Sequence, residues 1–427
     1  MMQLTQKIRI FPTPEQEEVL WKLSERCRLL YNFALAERID AWKQGGRVGY
    51  RKQQNDLPEV KRKYPEYSWV YSKVLQMVLR QLDADYKSFF SLLKNGRKDA
   101  RPPRFKSRGY FVAMLYNQSG FRVERGKVSL SHFYNDAPLE FRIPEKFEFE
   151  KVYQVAVYKN GEDFYLSIVY EREEKQYVDN GLYQAVDLGV DKIVTAVNSY
   201  GKFLEVKNRR PDKYWQPIIE RLQSRRDHCK RDSKRWKKLN KNLKRCQWEC
   251  ANQLRDFQHK LSRRIVDNTR ANTLVIGALE VKQMAQSEKV PKPMRNGLNR
   301  ATQNTGTLSR FARFLTYKAQ LVGKRVIEID EEGTTRTCYV CGREHEMEIW
   351  DRVMRCECGN EVGRDRNSAV NLMLRFLSQN AKWTGYSQFA GNLRQTGLLA
   401  PDELVAHPQE APPFTVVPKV DGPSTKF

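Results

Sequence analysis

Residues 337–371 read TCYVCGREHEMEIWDRVMRCECGNEVGRDRNSAVN. The run holds two close cysteine pairs, Cys338/Cys341 and Cys356/Cys358, followed by Asp365 at the start of an amphipathic stretch. Two paired thiolates can close one tetrahedral shell, and four soft sulfur ligands favour zinc. His345 stands four residues after Cys341 and is the alternative fourth ligand. A zinc ribbon leading straight into an acidic helix points to a metal-dependent nuclease rather than a transcription-factor finger.

The surrounding chain agrees with a polyanion partner. It has 427 residues, enough for two or three domains, and a net charge of +25 with a pI of about 9.7. Nucleic acid leads the list of partners, with an acidic membrane surface as the alternative. Mean hydropathy is −0.72 and no apolar run approaches a spanning helix, so no membrane association is expected. The N-terminal MMQLTQKIRIFPTPEQ lacks an apolar signal core, so a cytoplasmic, nucleoid-associated location with reduced thiols is expected. Cys27, Cys229, Cys246 and Cys250 are scattered; Cys246 and Cys250 fall one helical turn apart with no second pair near them.

Local patterns order the elements. Leu4, Ile8 and Ile10 alternate as in a strand, and Thr13-Pro14-Glu15-Gln16 reads as a capped helix start. A helical face of Val74, Val78, Leu82, Tyr86 and Phe89 reads as core. Arg101–Arg108 is a basic loop with one aromatic, suited to nucleic-acid backbone contacts. Residues 110–170 are mostly β, with a hairpin signal at Asn160-Gly161. From Leu182 the chain reads strand, turn, strand, turn, strand, with Asp187 at the end of the first. Residues 212–268 form a long basic helical region, ANTLVIGALEV a buried strand, and LSRFARFLTYKAQLVG a helix ended by Gly323. A basic loop, Val290 to Thr305, lies between these last two. Strand KRVIEID follows, and order signals fade after Leu377.

Taken in order, IRIFPTPEQ, CRLLYNFAL, PPRFKSR, AVDLGVDKIVTAV, LTYKAQLVGKRV, TTRTCYVCG and GRDRNSAVNLM resemble TnpB, the transposon-encoded RNA-guided DNA nucleases related to type V CRISPR effectors. The resemblance covers residues 2 to about 377. It implies an α+β multidomain fold: a β-barrel wedge domain (1–14 and 105–178) with an inserted helical recognition domain (15–104). A RuvC-like nuclease domain of ribonuclease-H fold (182–377) would follow, with a zinc ribbon inserted at 335–362 and a flexible tail at 378–427. Guide RNA and target double-stranded DNA would be the partners, and Arg104, Phe105, Lys106 and Arg108 the best local nucleic-acid contacts. Structural Zn2+ would sit on Cys338, Cys341, Cys356 and Cys358. The second pair is Cys-x-Cys, one residue shorter than the family spacing.

The resemblance also implies two Mg2+ ions on clustered carboxylates. Asp187 matches the first, and Asp365 the last, with Gly363 where the family has a further aspartate. The middle glutamate falls on Gly277, and Glu280 lies three residues later. IDEEGTTRTC resembles the segment of branches with a rearranged site, which gives the role to Glu331. Glu332 is the neighbouring alternative, but it should point the other way if the strand continues. The competing expectations are a nuclease-dead guided repressor, a generic zinc-ribbon RNA-binding protein and a DDE-type transposase.

Overall fold

The first elements form where local chemistry favours them. Strand β1 (Met2–Ile10) alternates its side chains, and Ile8 and Ile10 turn inward. Thr13 caps helix α1 (Pro14–Lys43). Its hydroxyl accepts from the Gln16 N–H at 3.3 Å, and the Gln16 side chain accepts from the Thr13 N–H at 3.0 Å. The computed structural model describes residues 1–278, 308–348, 351–380 and 383–398. Glu280, the basic loop 290–305 and the run 401–427 lie outside the described residues. The chain divides into two units between Glu173 and Glu174.

In the first unit, short helices α2 (Tyr50–Asn55) and α3 (Leu57–Lys63) lead to α4 (Ser72–Lys94). Val74, Val78 and Leu82 of α4 are buried as their spacing predicts, while Tyr86 and Phe89 are half-buried. Six strands follow: β2 (Met114–Asn117), β3 (Phe121–Glu124), β4 (Lys127–Leu130), β5 (Leu139–Arg142), β6 (Lys151–Asn160) and β7 (Asp163–Arg172). The β6–β7 turn is the two-residue loop Gly161-Glu162, with Asn160 paired to Asp163 and Gly161 at φ +64°. The hairpin therefore turns one residue later than the Asn-Gly pair suggests.

The expected β-barrel does not form. β1, β7, β6 and β2 make a four-stranded sheet in that order, and β3, β4 and β5 make a separate three-stranded sheet; neither closes. Closure would need the edges β1 and β2 to pair, but β2 is four residues long. Helix α4 packs against β2 instead. One core holds Leu20 and Leu23 of α1, Leu75 and Leu79 of α4, Val155 and Leu166 of the larger sheet, and Val128 and Phe141 of the smaller. Alternation in a sequence reports that one face is buried, not whether a second sheet edge or a helix buries it.

The second unit is built on a five-stranded mixed sheet. Strands β8 (Tyr183–Asp187), β9 (Lys192–Asn198) and β10 (Phe203–Lys207) precede helices α5 (Pro211–Asp227) and α6 (Lys234–Asn268). Then come β11 (Thr273–Gly277), α7 (Leu308–Leu321), β12 (Arg325–Ile329), the ribbon strands β13 (Val353–Arg355) and β14 (Glu361–Gly363), and helices α8 (Arg364–Asn380) and α9 (Trp383–Gln395). Sheet order is β10-β9-β8-β11-β12, with β11 parallel to both β8 and β12. Both faces are covered, which is why its central strands read as continuous apolar runs. Ala185, Val197, Val275 and Ile329 face α8 and α9; Val186, Ile193, Leu274 and Ile276 face α6 and α7.

The basic region resolves into two helices, α5 and α6, that pack together. Ser233 caps α6, accepting from the Trp236 N–H at 3.1 Å. Order continues beyond Leu377, where the sequence signals fade. α9 buries Tyr386, Phe389, Ala390 and Leu393. Gly385 and Gly391 within it weaken its helical signature, and packing makes up the difference.

Phe311 of α7 is fully buried against the sheet. Phe311→Ala should cost roughly 3–5 kcal/mol, read by chemical denaturation of the full chain.

Candidate functional site

The three carboxylates singled out above come together on one side of the five-stranded sheet. Asp187 ends β8 on the same face as Ala185, the face covered by α8. Asp365 lies in the first turn of α8, which starts directly from β14. Glu331 lies just past β12. β12 and β11 are parallel, and Ile329 is opposite Gly277. The Ala278 N–H donates to the Ile329 carbonyl at 2.7 Å.

Glu331 occupies the space above Gly277. A Cβ built on Gly277 would stand 3.0 Å from the Glu331 Cβ and 3.1 Å from its Cδ, and would collide with Oε2. Gly277 does not have positive φ, so the missing side chain is a matter of room and not of backbone freedom. Glu332 is exposed, and its own N–H donates to the Asp330 carboxylate at 2.9 Å.

Electrostatics records the convergence. The Asp187 carboxyl is pushed up to about 7, first by burial and then by the negative charges of Glu331 and Asp365. The Ser368 hydroxyl, which donates to Asp187 Oδ1 at 3.3 Å, and the Arg364 charge act in the opposite direction. The carboxylates are coupled but not collapsed together. Among the described residues, only the four cysteines bring three or more metal-capable side chains within 4.8 Å of one another.

That cysteine group is Cys338, Cys341, Cys356 and Cys358, without His345. Each pair sits on a tight turn closed by a backbone bond. Gly342 N–H donates to the Cys338 carbonyl, and Gly359 N–H to the Cys356 carbonyl, both at 2.9 Å. Gly359, at φ +92°, takes a conformation that side chains disfavour, and it lets the shortened Cys-x-Cys pair turn. Sulfurs meet across the pairs at 3.4 Å (Cys341/Cys356) and 3.8 Å (Cys338/Cys358). The donor set suits a tetrahedral zinc ion.

Several site residues escaped the sequence reading. Asn367 and Asn371 of α8 each donate to the carbonyls of Thr334 and Thr337, at 2.6–3.1 Å. Asn367 also accepts from the Tyr339 N–H, between the first two cysteines, at 3.2 Å. α8 thus joins the cysteine cluster to the carboxylates. Buried polar residues one turn apart in an apolar helix were the available signal. Arg366 is drawn aside by Glu205 through bonds of 3.0 and 3.1 Å.

The basic loop of the first unit is also ordered. Its Lys106 backbone is fixed on α1: the carbonyl accepts from Arg28 and Asn32, and the N–H donates to Asn32 at 2.8 Å. Arg104, Phe105 and Arg108 are exposed, while the Lys106 ammonium lies over the Tyr31 ring at 4.8 Å.

Two outcomes follow from this geometry. Because the folded-state value of Asp187 lies above its unfolded one, its contribution to stability is full below the ordinary carboxylate range and is lost as pH rises through about 7. In chelator-treated buffer Asp187→Asn should therefore melt several degrees above wild type at pH 8, with the gap closing as pH falls toward 4. Elemental analysis should find one zinc per chain, and Cys356→Ser should lose it and unfold the ribbon by limited proteolysis.

Comparison with known proteins agrees along most of the chain. Family models described as a helix-turn-helix domain, a probable transposase and a Cas12f1-like TNB domain match residues 1–47, 167–288 and 309–372. A "Putative RNA-guided DNA endonuclease" of Streptomyces pristinaespiralis is 27% identical over 88% of this chain and 90% of its own length. The "Putative RNA-guided DNA endonuclease InsQ" of Escherichia coli (strain K12) is 28% identical over 86% of this chain and 90% of its own. The Cas12f1 chain of a complex with sgRNA and target DNA has the same fold, with TM-score 0.51 and 12% identity over 87% of this chain and 98% of that one. The chain belongs to the TnpB/Cas12f family of RNA-guided, transposon-associated nucleases.

Proposed function

We propose that this chain is an active RNA-guided DNA endonuclease of an insertion-sequence transposon, with Asp187, Glu331 and Asp365 as its catalytic carboxylates. The observation that carries the reading is the exchange between neighbouring strands. The carboxyl group missing at Gly277 is replaced, in the same space, by the one on Glu331. A dead site would have no reason to keep three acidic groups converging at a cost in Asp187 ionisation.

Hard carboxylate oxygens at the C-terminal ends of β8 and β12 and at the start of α8 fit magnesium. When bound, two such ions supply an activated water and stabilise the leaving oxygen of the phosphodiester. The chain's own residues prepare that site. Burial and two acidic neighbours raise the proton affinity of Asp187, and a cation held by Asp187, Glu331 and Asp365 would favour its ionised form. Ser368 orients Asp187, Glu205 holds the Arg366 guanidinium, and Arg364 Nε stands 3.8 Å from Asp365 Oδ1. The cysteine quartet has a structural role, bracing α8 from the far side.

Guide RNA and target DNA are the proposed partners. Arg104 and Arg108 offer exposed charge, half-buried Lys106 a further cation and Phe105 an aromatic face for nucleic acid. α5 and α6 add a second basic surface. Sequence would be read by base pairing, with a short motif beside the target read by protein.

The test is plasmid cleavage by the chain copurified with its native RNA, in magnesium, against a randomised adjacent-motif library. Glu331→Ala and Asp187→Ala should each lower cleavage at least about 1,000-fold while leaving RNA-dependent target binding unchanged. Target binding by wild type without cutting would support a guided repressor, and full cutting by Glu331→Ala would remove Glu331 from the site.

A further inference from the structure

A carboxylate that has moved from one strand to its neighbour needs a new means of support. At position 277 the sheet itself would fix it, since Gly277 still lies in the β11 ladder. Glu331 is two residues beyond Ile329, the last paired residue of β12. Its backbone is held in another way, by side chains that capture three consecutive carbonyls. Arg375 Nη1 donates to the Asp330 carbonyl at 2.7 Å, and Nη2 to the Glu332 carbonyl at 2.8 Å. The Thr334 hydroxyl donates to the Glu331 carbonyl between them at 2.8 Å. Thr334 and Ser368, both buried, bring their hydroxyls to 3.1 Å, and Ser368 reaches Asp187.

We propose that Arg375 is the positioning residue for Glu331, a two-pronged clamp on the carbonyls at either side that holds its carboxylate over Gly277. The inference rests on the reading of Glu331 as the third carboxylate. Arg375 touches neither metal nor substrate; it acts through the backbone. A guanidinium suits the task because its planar fork reaches two acceptors at once, while an ammonium would hold one at a time. Residues 367, 368, 371 and 375 fall on one face of α8. One helix therefore carries Asp365, orients Asp187 and clamps the Glu331 loop, so the three acidic groups move together or not at all.

The test is Mn2+ binding to the full-length, zinc-loaded chain without RNA, followed by electron paramagnetic resonance. Arg375→Ala should weaken Mn2+ binding about tenfold, as Glu331→Ala does, and Arg375→Lys should not restore it. Adding Arg375→Ala to Glu331→Ala should cost nothing further, because the clamp then has no carboxylate to hold. Zinc content and guided target binding should stay at wild-type levels in each variant. The lysine variant provides the reading if the alanine variant does not fold. Wild-type Mn2+ affinity in Arg375→Ala, beside weak binding in Glu331→Ala, would overturn the clamp alone. The same tenfold loss in the Glu331→Ala background would make Arg375 a general structural residue. Wild-type affinity in Glu331→Ala would remove the reading of Glu331 itself, and the clamp with it.

Discussion

Three carboxyl groups converge at the end of a mixed five-stranded sheet, and much of the second unit can be understood as what makes that tolerable. Neighbouring negative charges and lost solvation raise the proton affinity of a carboxylate, and Asp187 shows it. The cost must be met by rigid surroundings, because a loose arrangement would let the groups swing into water. Helix α8 supplies the rigidity. Its apolar side is buried over the sheet through Leu372, Met373 and Phe376, while Asn367, Ser368 and Asn371 on its buried polar edge hold the loop after β12. The cysteine quartet, where Asn367 again makes contact, fixes the same helix near its N-terminus.

Gly277 and Glu331 are best seen as one feature. Parallel pairing puts Ile329 level with Gly277, so a residue just past β12 can reach back over the end of β11. A side chain at either place fills the same volume, and the chain cannot carry both. On the reading proposed above, the glycine is the counterpart of the glutamate: it leaves the room that the Glu331 side chain fills. It also explains the neighbouring sequence: once the acidic group leaves the ladder, Thr334 and Gly333 must shape the turn that carries it.

Much of this was legible in the chain itself. The Thr13 cap, the order of strands from Leu182 and the cysteine pairs rest on local signals with a fixed period or spacing, while Asp187 and Asp365 became candidates through the resemblance of their motifs to TnpB. The closed barrel did not follow from such signals. Strand alternation in residues 110–170 was real, but the four-residue β2 and the packing of α4 left both sheets open. Helix α9 was missed for the converse reason: its glycines dilute a pattern that only burial reveals.

The sequence by itself determined which residues could form a soft sulfur site, where the acidic residues lie in the chain, and a basic charge balance that favours a polyanion partner. These are properties of composition and of neighbours a few positions apart. Only the tertiary structure decided that Glu331, and not exposed Glu332, lies beside Asp187, and that Arg375, more than forty residues on, reaches the carbonyls flanking it. The physical reason is distance along the chain. A pleated strand fixes its own alternation, but the end of a strand is free to turn. Which way it turns is set by residues that meet it only after the sheet and α8 have packed.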